Sequence, residues 1–481
     1  MDTRSDRSQP VPQRVHLVGI GGIGLSAIAR VLAMRGHAVS GSDLRLSPLM
    51  EELRALGVIV YQGHAAEQIA DAELVVVSSA IPEDNPEIRA ARIAGVPVVK
   101  RQTFIGQLLA DQRTVAVAGT HGKTTTTAMI ATILDAAGAD PSFIIGGVVP
   151  GWGTNARAGA GQWFVIEADE YDRMFHGLAP DVAVVTNVEM DHPDCYRDLD
   201  DLRGAFEVFV RGMAPGGRLI ACADSPELQR VLGELQGPNS PEIWTYGRSP
   251  EARYLVTGFG VNDQGGIEAT LQEGEQRLAH LRLRVPGEHN ALNAAAAWLA
   301  ARCCGVEADV ALQALAAFGG VGRRFEVKGE AGGVLVVDDY AHHPTEIRAT
   351  LAAARSRYGA RRLWAVFEPH TNSRTVALFD EFCTAFAQAD KVLVGDIFVA
   401  RQERLAVSRR SEAPPTAQDL VAAMDHEGAR YGGSVDAIVD TLLVELHPSD
   451  VLLTMGAGNG YRIGERVLEA LTRRDGHVES A

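Results

Sequence analysis

Short apolar runs rich in valine and isoleucine recur along this chain, and each ends in glycine or in polar residues able to do chemistry. Val15-His16-Leu17-Val18, Leu74-Val75-Val76-Val77, Val96-Pro97-Val98-Val99, Val115-Ala116-Val117-Ala118, Trp163-Phe164-Val165-Ile166, Val182-Ala183-Val184-Val185, Val334-Leu335-Val336-Val337, Leu363-Trp364-Ala365-Val366-Phe367, Val392-Leu393-Val394 and Val451-Leu452-Leu453-Thr454 all read this way. A continuous apolar run, rather than alternation, predicts a strand buried on both faces, the habit of parallel sheets. Helical stretches lie between them, from Ser26 to Arg35, after Lys123, from Ala291 to Cys304 and from Thr345. Strand alternating with helix predicts the α/β class. Residues 251–285 differ, with a strand-and-turn texture such as the Leu281-Arg282-Leu283-Arg284-Val285 alternation.

Two breaks divide the pattern. Ala110-Asp111-Gln112-Arg113 is a polar link, and Gly319-Gly320-Val321-Gly322-Arg323-Arg324-Phe325 reads as a hinge. The expected units are therefore 1–112, N-terminal and Rossmann-like; 113–322, a central P-loop ATPase-type α/β unit; and 323–481, C-terminal and Rossmann-like. Residues 1–13 read as a loose polar tail with Pro10 and Pro12.

The central unit opens on the stretch that organises the rest. The run at 115–118 enters Gly119-Thr120-His121-Gly122-Lys123-Thr124-Thr125, and a helix follows. Glycines let backbone N–H groups approach phosphate oxygens, a helix N-terminus adds partial positive charge, and a lysine there reaches the β/γ-phosphates. Thr124 stands where a P-loop hydroxyl ligates Mg2+. The usual spacing asks for glycine at 117, where this chain has Val117, so the loop is a variant with Gly119 late. Two further runs deliver Glu167-Ala168-Asp169-Glu170 and Thr186-Asn187-Val188-Glu189-Met190-Asp191-His192 at their ends. Acids at strand ends beside a P-loop are where a nucleotide-bound Mg2+ finds its remaining ligands.

A second glycine loop, Gly19-Ile20-Gly21-Gly22-Ile23-Gly24, follows the first strand and opens a helix, with Asp43 downstream. That is the dinucleotide fingerprint, and its physics places a diphosphate on a helix N-terminus. Ile81-Pro82-Glu83-Asp84-Asn85-Pro86 is a loop at a strand's carboxyl end, the ligand side of such sheets. Asn290 and Asn293 fall on the first turn of the Ala-rich helix, where either caps the helix or hydrogen-bonds a base, capping being the expected role of Asn290. Asp339-Tyr340-Ala341-His342-His343 is histidine-rich, but adjacent histidines do not readily share one tetrahedral ion, so positioning roles are expected.

Composition narrows the classes. The 481 residues carry a net charge of −16, which leaves no basic surplus for nucleic acid or an anionic membrane surface. Anionic substrates must then be met by loops, helix ends and single cations. Lysine occurs only at 100, 123, 328 and 391, so the loop lysine is no draw from a lysine-rich pool. Five cysteines without a C-x-x-C pair fit a reducing cytoplasm, and no long apolar run predicts membrane insertion. Three α/β units, only the middle one with a triphosphate loop, suggest an enzyme joining two substrates with ATP.

Taken together these segments resemble the bacterial Mur ligases. The resemblance runs nearly end to end, through Gly19 to Gly24, Ser78-Ser79-Ala80-Ile81, Gly119 to Met129, Glu167 to Glu170, Val184-Val185-Thr186-Asn187, Asp191-His192, His289-Asn290-Ala291-Leu292-Asn293, Arg323-Arg324-Phe325, Asp338 to Glu346 and Pro369-His370. It implies a reaction in peptidoglycan precursor synthesis, in which ATP drives ligation of L-alanine to the lactyl carboxylate of UDP-N-acetylmuramate through an acyl phosphate. It implies an ATP site of Gly119, Thr120, His121, Gly122, Lys123, Thr124, Thr125, His289, Asn290, Asn293, Arg324, Asp338 and Asp339. Mg2+, with Mn2+ able to substitute, would lie on Thr124, Glu167 and His192. Gly19, Gly21, Gly22, Gly24, Asp43 and Ser79 would take the UDP-sugar, and Tyr340, His342, His370 and Arg374 the amino acid. Lys123, Glu167, His192, Arg324 and His342 are the implied catalytic set. A cytoplasmic monomer or homodimer is expected, closing its third unit over the P-loop.

Departures keep other readings in view. Tyr171 stands where many alanine-adding members have serine, and Thr371 replaces an arginine of some. Glu167-Ala168-Asp169-Glu170-Tyr171-Asp172 leans toward the recycling branch that attaches a whole tripeptide, whereas Asp191-His192-Pro193-Asp194-Cys195-Tyr196 leans back. The carbamylated lysine of several sister ligases is excluded, because residues 124–327 contain no lysine. More distant alternatives are a nicotinamide-dependent oxidoreductase using the Gly19 loop and a non-catalytic nucleotide-dependent binding protein.

Overall fold

A computed structural model describes residues 10–235, 237, 240–399 and 414–478, so most of the expected polar tail lies outside the described residues. Three sheets follow one another along the chain. The first has five parallel strands in spatial order Ile59–Gln62, Ala38–Asp43, Arg14–Val18, Leu74–Val77, Val98–Lys100. The apolar runs are buried as their lack of alternation requires, with Leu17, Val75 and Val76 fully inaccessible. Ile59–Gln62 escaped the sequence reading because it is a short edge strand with a mixed pattern, Ile59 itself being exposed.

The second sheet has ten strands and is built around Arg113–Ala118. That strand lies between Val182–Val185 and Trp163–Glu167, with Val182 opposite Val115 and Glu167 opposite Val117. This register decides the chemistry: the acids ending both neighbours emerge beside the loop that follows Ala118. The strand-and-turn segment becomes three strands, Tyr254–Val261, Ile267–Glu273 and Gln276–Arg282, joined antiparallel at the sheet's far edge. The loop helix, Lys123–Ala136, packs on the Ala-rich helix Glu288–Cys303, whose small buried side chains permit close approach. That second helix starts earlier than Ala291, and its N-cap is Gly287. Asn290 does not cap it; its amide donates instead to Pro286 O at 2.7 Å.

The third sheet has six strands in order Glu326–Ala331, Val334–Asp339, Val451–Met455, Leu363–Phe367, Lys391–Gly395, Ala429–Gly433. Only Glu326–Ala331, at one edge, runs antiparallel. Helices cover both faces, and separate apolar clusters fill the two sides.

Candidate active site

The P-loop departs from the usual spacing for a reason visible in the backbone. Val117 is a fully buried strand residue, and the turn begins only at Gly119, where φ is 130° and a Cβ would collide with the Thr186 hydroxyl. Gly122 has φ 80° and forms the N-cap of Lys123–Ala136, with Asn293 Oδ1 pressed against it. Side chains are excluded at both positions. Lys123 Nζ donates to Gly119 O at 2.6 Å, Thr120 O at 3.0 Å and Glu170 Oε1 at 2.8 Å. Burial works against its charge, but Glu170 and Glu167 outweigh burial and raise its pKa.

Thr124 Oγ1 donates to Glu167 Oε1 at 3.0 Å, and Glu167 Oε2 accepts the Gly146 N–H at 2.6 Å. Burial pushes the Glu167 carboxyl up despite Lys123 nearby. His192, with φ 54°, places Nε2 3.6 Å from Glu170 Oε1 and 3.7 Å from Asp191 Oδ2. Glu170 is thus shared by Lys123 and His192 and is almost wholly buried. Glu170 belongs to the acidic cluster that follows Trp163–Glu167, and its place just past the end of a strand beside the loop is the signal for its role in the sequence.

The third unit reaches back over this loop. Arg374 Nε donates to Asp191 Oδ1 at 2.8 Å, with each side chain only 5% exposed. Glu346, on the first turn of the helix Pro344–Tyr358, lies 3.4 Å from His121 Nδ1 and 3.5 Å from Arg324 Nη1. His121 Nε2 lies 3.3 Å from Glu189 Oε2, which also accepts the Thr345 hydroxyl at 2.7 Å. Burial opposes the His121 imidazolium, yet Glu189 and Glu346 raise its pKa to about 9. His121, Glu189 and His343 bring ligand atoms within 4.8 Å of one another. Both His343 nitrogens are already engaged, Nδ1 by the Thr345 N–H and Nε2 by Met190 O, so the group is a hydrogen-bonded contact between units.

Two cavities meet at the loop. One, of about 150 Å³, is bounded by Thr125, His289, Asn290, Asn293, Arg324 and Asp339. Burial lowers His289 to about 4, so it is neutral near pH 7, and raises Asp339 to about 6. Asp338 does not reach this cavity. Its carboxylate accepts from Arg323 Nε at 3.0 Å and from the Thr454 hydroxyl at 2.8 Å, away from the cavity lining. Neighbouring strand residues point to opposite faces, and Asp339 is the one on the cavity side.

The other cavity, of about 690 Å³, runs from Gly24 and Arg101 to Thr124 and Glu167 and on to Arg324 and Tyr340. Gly19 and Ile20 donate their N–H groups to Ser42 O at 2.8 and 3.1 Å, and Gly21 N–H goes to Asp43 Oδ2 at 3.0 Å. Asp43 therefore braces the glycine loop instead of standing free beside it. Gly22 is the N-cap of Ile23–Met34, and Ser79 is exposed past the end of Leu74–Val77. Arg101, which the sequence reading missed, packs on Gly24 and donates to Asp169 Oδ2 at 3.1 Å.

Tyr340 is flanked by the Arg323 and Arg324 guanidinium groups, 5.1 and 4.9 Å from its ring. His342 meets Tyr340 and His370 edge-on, and Arg374 Nη1 lies 3.2 Å from His370 Nδ1. Burial drops His342 to about 3, so it is neutral at working pH. Tyr340, His342, His370 and Arg374 are thereby brought together, within reach of His192 through Asp191.

Comparison with known proteins agrees with this arrangement along the chain. The model described as "Mur ligase family, catalytic domain" matches residues 14–113, "Mur ligase middle domain" 117–301, and "Mur ligase, glutamate ligase domain" 323–458. A UDP-N-acetylmuramate–L-alanine ligase of Solibacter usitatus is 44% identical over 96% of this chain and 96% of its own. One from Roseiflexus is 43% identical over 96% and 99%. Among solved structures, a UDP-N-acetylmuramate-alanine ligase from Thermotoga maritima matches with TM-score 0.78 at 28% identity, covering 95% of this chain and 98% of its own. A murein peptide ligase from Psychrobacter arcticus matches with TM-score 0.70 at 28% identity, over 96% and 99%. Family models over all three sheets and relatives matched almost end to end leave one conclusion: this chain belongs to the Mur ligase family.

Proposed function

We propose that this chain joins L-alanine to the lactyl carboxylate of UDP-N-acetylmuramate, using ATP, in peptidoglycan precursor synthesis. The observation that carries the reading is the larger cavity, which connects the first glycine loop to the P-loop and to the third unit's Arg324 and Tyr340. Each of three substrates then has its own wall, and the reacting groups converge beside Lys123. The relatives' shared name supplies the identity of the substrates.

A carboxylate is a poor electrophile, so its oxygen first takes the γ-phosphoryl group; the resulting acyl phosphate is attacked by the neutral amine of alanine, and phosphate departs. Positioning and charge stabilisation carry most of this chemistry. Lys123 and Arg324 hold the phosphates against the loop of Gly119, Thr120, His121, Gly122 and Thr125, which Asn187 braces through the Thr120 and His121 N–H groups. His289, Asn290 and Asn293 border the base, and Asp339 the ribose. The UDP diphosphate lies on the Gly19, Gly21, Gly22 and Gly24 turn, facing Arg101, with Asp43 as brace and Ser79 at the rim. Tyr340, His342, His370 and Arg374 surround the amino acid.

Thr124 and Glu167 fit Mg2+: a hydroxyl and a carboxylate oxygen 3.0 Å apart form an all-oxygen pair beside the phosphate cradle. His192 with Glu170 fits a second ion, Mn2+ being an alternative to Mg2+. Bound there, the ions would neutralise charge developing on the transferring phosphoryl group. The units are 1–112, 113–322 and 323–481, and the setting is the cytoplasm, with the chain acting as a monomer or homodimer. No helix among the described residues is long and apolar enough to cross a membrane.

Phosphate release from ATP with UDP-N-acetylmuramate, measured across candidate amino acids, tests the proposal. Release that depends on L-alanine supports it. Release with the L-Ala-γ-D-Glu-diamino-acid tripeptide but not with alanine moves the chain to the recycling branch.

A further inference from the structure

Glu87 is fully inaccessible to solvent, as are His16 and Ser42 around it. It stands on the first turn of the helix Pro86–Ala94, where the helix dipole favours an anion and Asn85 Oδ1 caps the Glu87 N–H at 2.8 Å. A dipole and a cap are served equally well by an exposed acid, so they do not explain burial. Taking an ion out of water costs several kcal/mol, which hydrogen bonds must offset.

The partners are specific. Glu87 Oε2 accepts the Ser42 hydroxyl at 2.6 Å and faces His64 Nδ1 at 3.0 Å, while Oε1 lies 3.4 Å from His16 Nε2. Ser42 Oγ is itself 2.9 Å from His64 Nδ1, and His16 Nδ1 is tied to Ser40 Oγ at 2.8 Å. Burial works against the Glu87 charge, but the nearby His16 imidazole, the Ser42 hydrogen bond and the His64 imidazole outweigh it and hold the carboxyl below its usual range.

What the cluster grips is the residue that shapes the first glycine loop. The Ser42 carbonyl accepts two N–H groups of the turn, from Gly19 and Ile20, and the next side chain, Asp43, accepts a third, from Gly21. We propose that Glu87 is a positioning residue: through Ser42 it fixes the height and tilt of the Gly19–Gly24 turn, and thereby tunes affinity for the diphosphate of the nucleotide-sugar. The inference rests on the reading that this turn takes the UDP-sugar. It gives the buried cluster a function in binding, beyond packing.

The test compares Glu87→Gln and Ser42→Ala with Ile88→Ala, a core change on the same helix outside the cluster. Binding of UDP-N-acetylmuramate is measured directly, alongside KM for all three substrates, kcat and thermal unfolding. Glu87→Gln and Ser42→Ala are expected to raise the KM and Kd for UDP-N-acetylmuramate by about tenfold, equivalent to about 1.4 kcal/mol of binding. KM for ATP and alanine, and kcat at saturation, should stay within about twofold. The double variant should be no worse than the weaker single, since both cut one path. Ile88→Ala should lose at least as much thermal stability without the KM change. Unchanged UDP-sugar affinity in both cluster variants, or an equal change in Ile88→Ala, overturns the inference while leaving the functional reading intact. If the unaltered chain does not bind UDP-N-acetylmuramate, the functional reading and the inference fall together. Ser42→Ala keeps the test open should Glu87→Gln fold poorly, since it leaves the turn's carbonyl in place.

Discussion

Arg374→Met isolates the contact that fastens the third unit to the P-loop. Asp191 and Arg374 are each 5% exposed and meet at 2.8 Å. Burial works against the Asp191 charge, but His192 and Arg374 outweigh it and hold its pKa well below the usual carboxylate range, so it stays charged at any working pH. Removing one partner of a buried pair costs about 3–5 kcal/mol, because the other charge is left dry and unpaired. Asp191 belongs to the second sheet's unit and Arg374 to the third's, so separation of the units rehydrates the orphan. The penalty therefore falls on docking and not on the folding of either unit. At about 1.4 kcal/mol per decade, docking should weaken by two orders of magnitude or more. The expected result is kcat/KM down by ~100-fold, with thermal unfolding nearly unchanged. Small-angle scattering with an ATP analogue and UDP-N-acetylmuramate should report a less compact particle. The Asp191→Leu/Arg374→Met double variant replaces the pair with apolar volume, a change that is often neutral. It should regain compactness, but not turnover if Arg374 also holds the alanine carboxylate. A single variant that stays fully compact and within threefold of normal kcat/KM would refute the reasoning.

Docking should also depend on pH. His121 is raised from 6.5 to about 9 by contacts that include the third unit's Glu346, so its contribution is complete below about pH 6.5 and is lost as pH rises through 9. Only the Glu346 share of that shift crosses between units, Glu189 lying in the same unit as His121, so scattering from pH 6.5 to 9.5 should show looser docking at the high end in the unaltered chain but much less change in Glu346→Gln. A pH profile identical in the two would remove His121 from the contact. Thr124→Val deletes the hydroxyl that meets Glu167 and should lower turnover by 10²-fold or more, with partial recovery at high Mg2+; recovery equal to that of the unaltered chain would argue against the proposed ligand pair.

Much of the site was legible because its signals are local. The loop from Gly119 to Thr125 and the acids after residues 166 and 185 sit immediately beyond continuous apolar runs, and parallel pairing carries such strand ends to one edge of the sheet. Three things were not legible. Which of Asp338 and Asp339 lines the smaller cavity depends on which side of the third sheet turns toward the loop, a matter of docking. The roles of Glu346 and Arg101 depend on contacts with residues far away in the chain, to His121 in one case and Gly24 in the other. Asn290 misled because a polar residue on a first turn has two uses. Gly287, with φ 96°, already begins the helix, so the asparagine side chain points back to Pro286 O.

The hinge places two arginines side by side with opposite duties. Arg323, at φ 60°, is locked into the third unit by Asp338 and by Gly456 O at 2.7 Å, while Arg324 faces Glu346 and both cavities. Consecutive Cα atoms are about 3.8 Å apart whatever else moves. The pair therefore works as a short crank: Arg323 anchors the backbone to the third unit, and Arg324, one residue on, is carried with it beside the loop. On the proposed reading, delivery of that cation to phosphate is geared to the orientation of an entire unit, the one that also carries Tyr340, His342, His370 and Arg374.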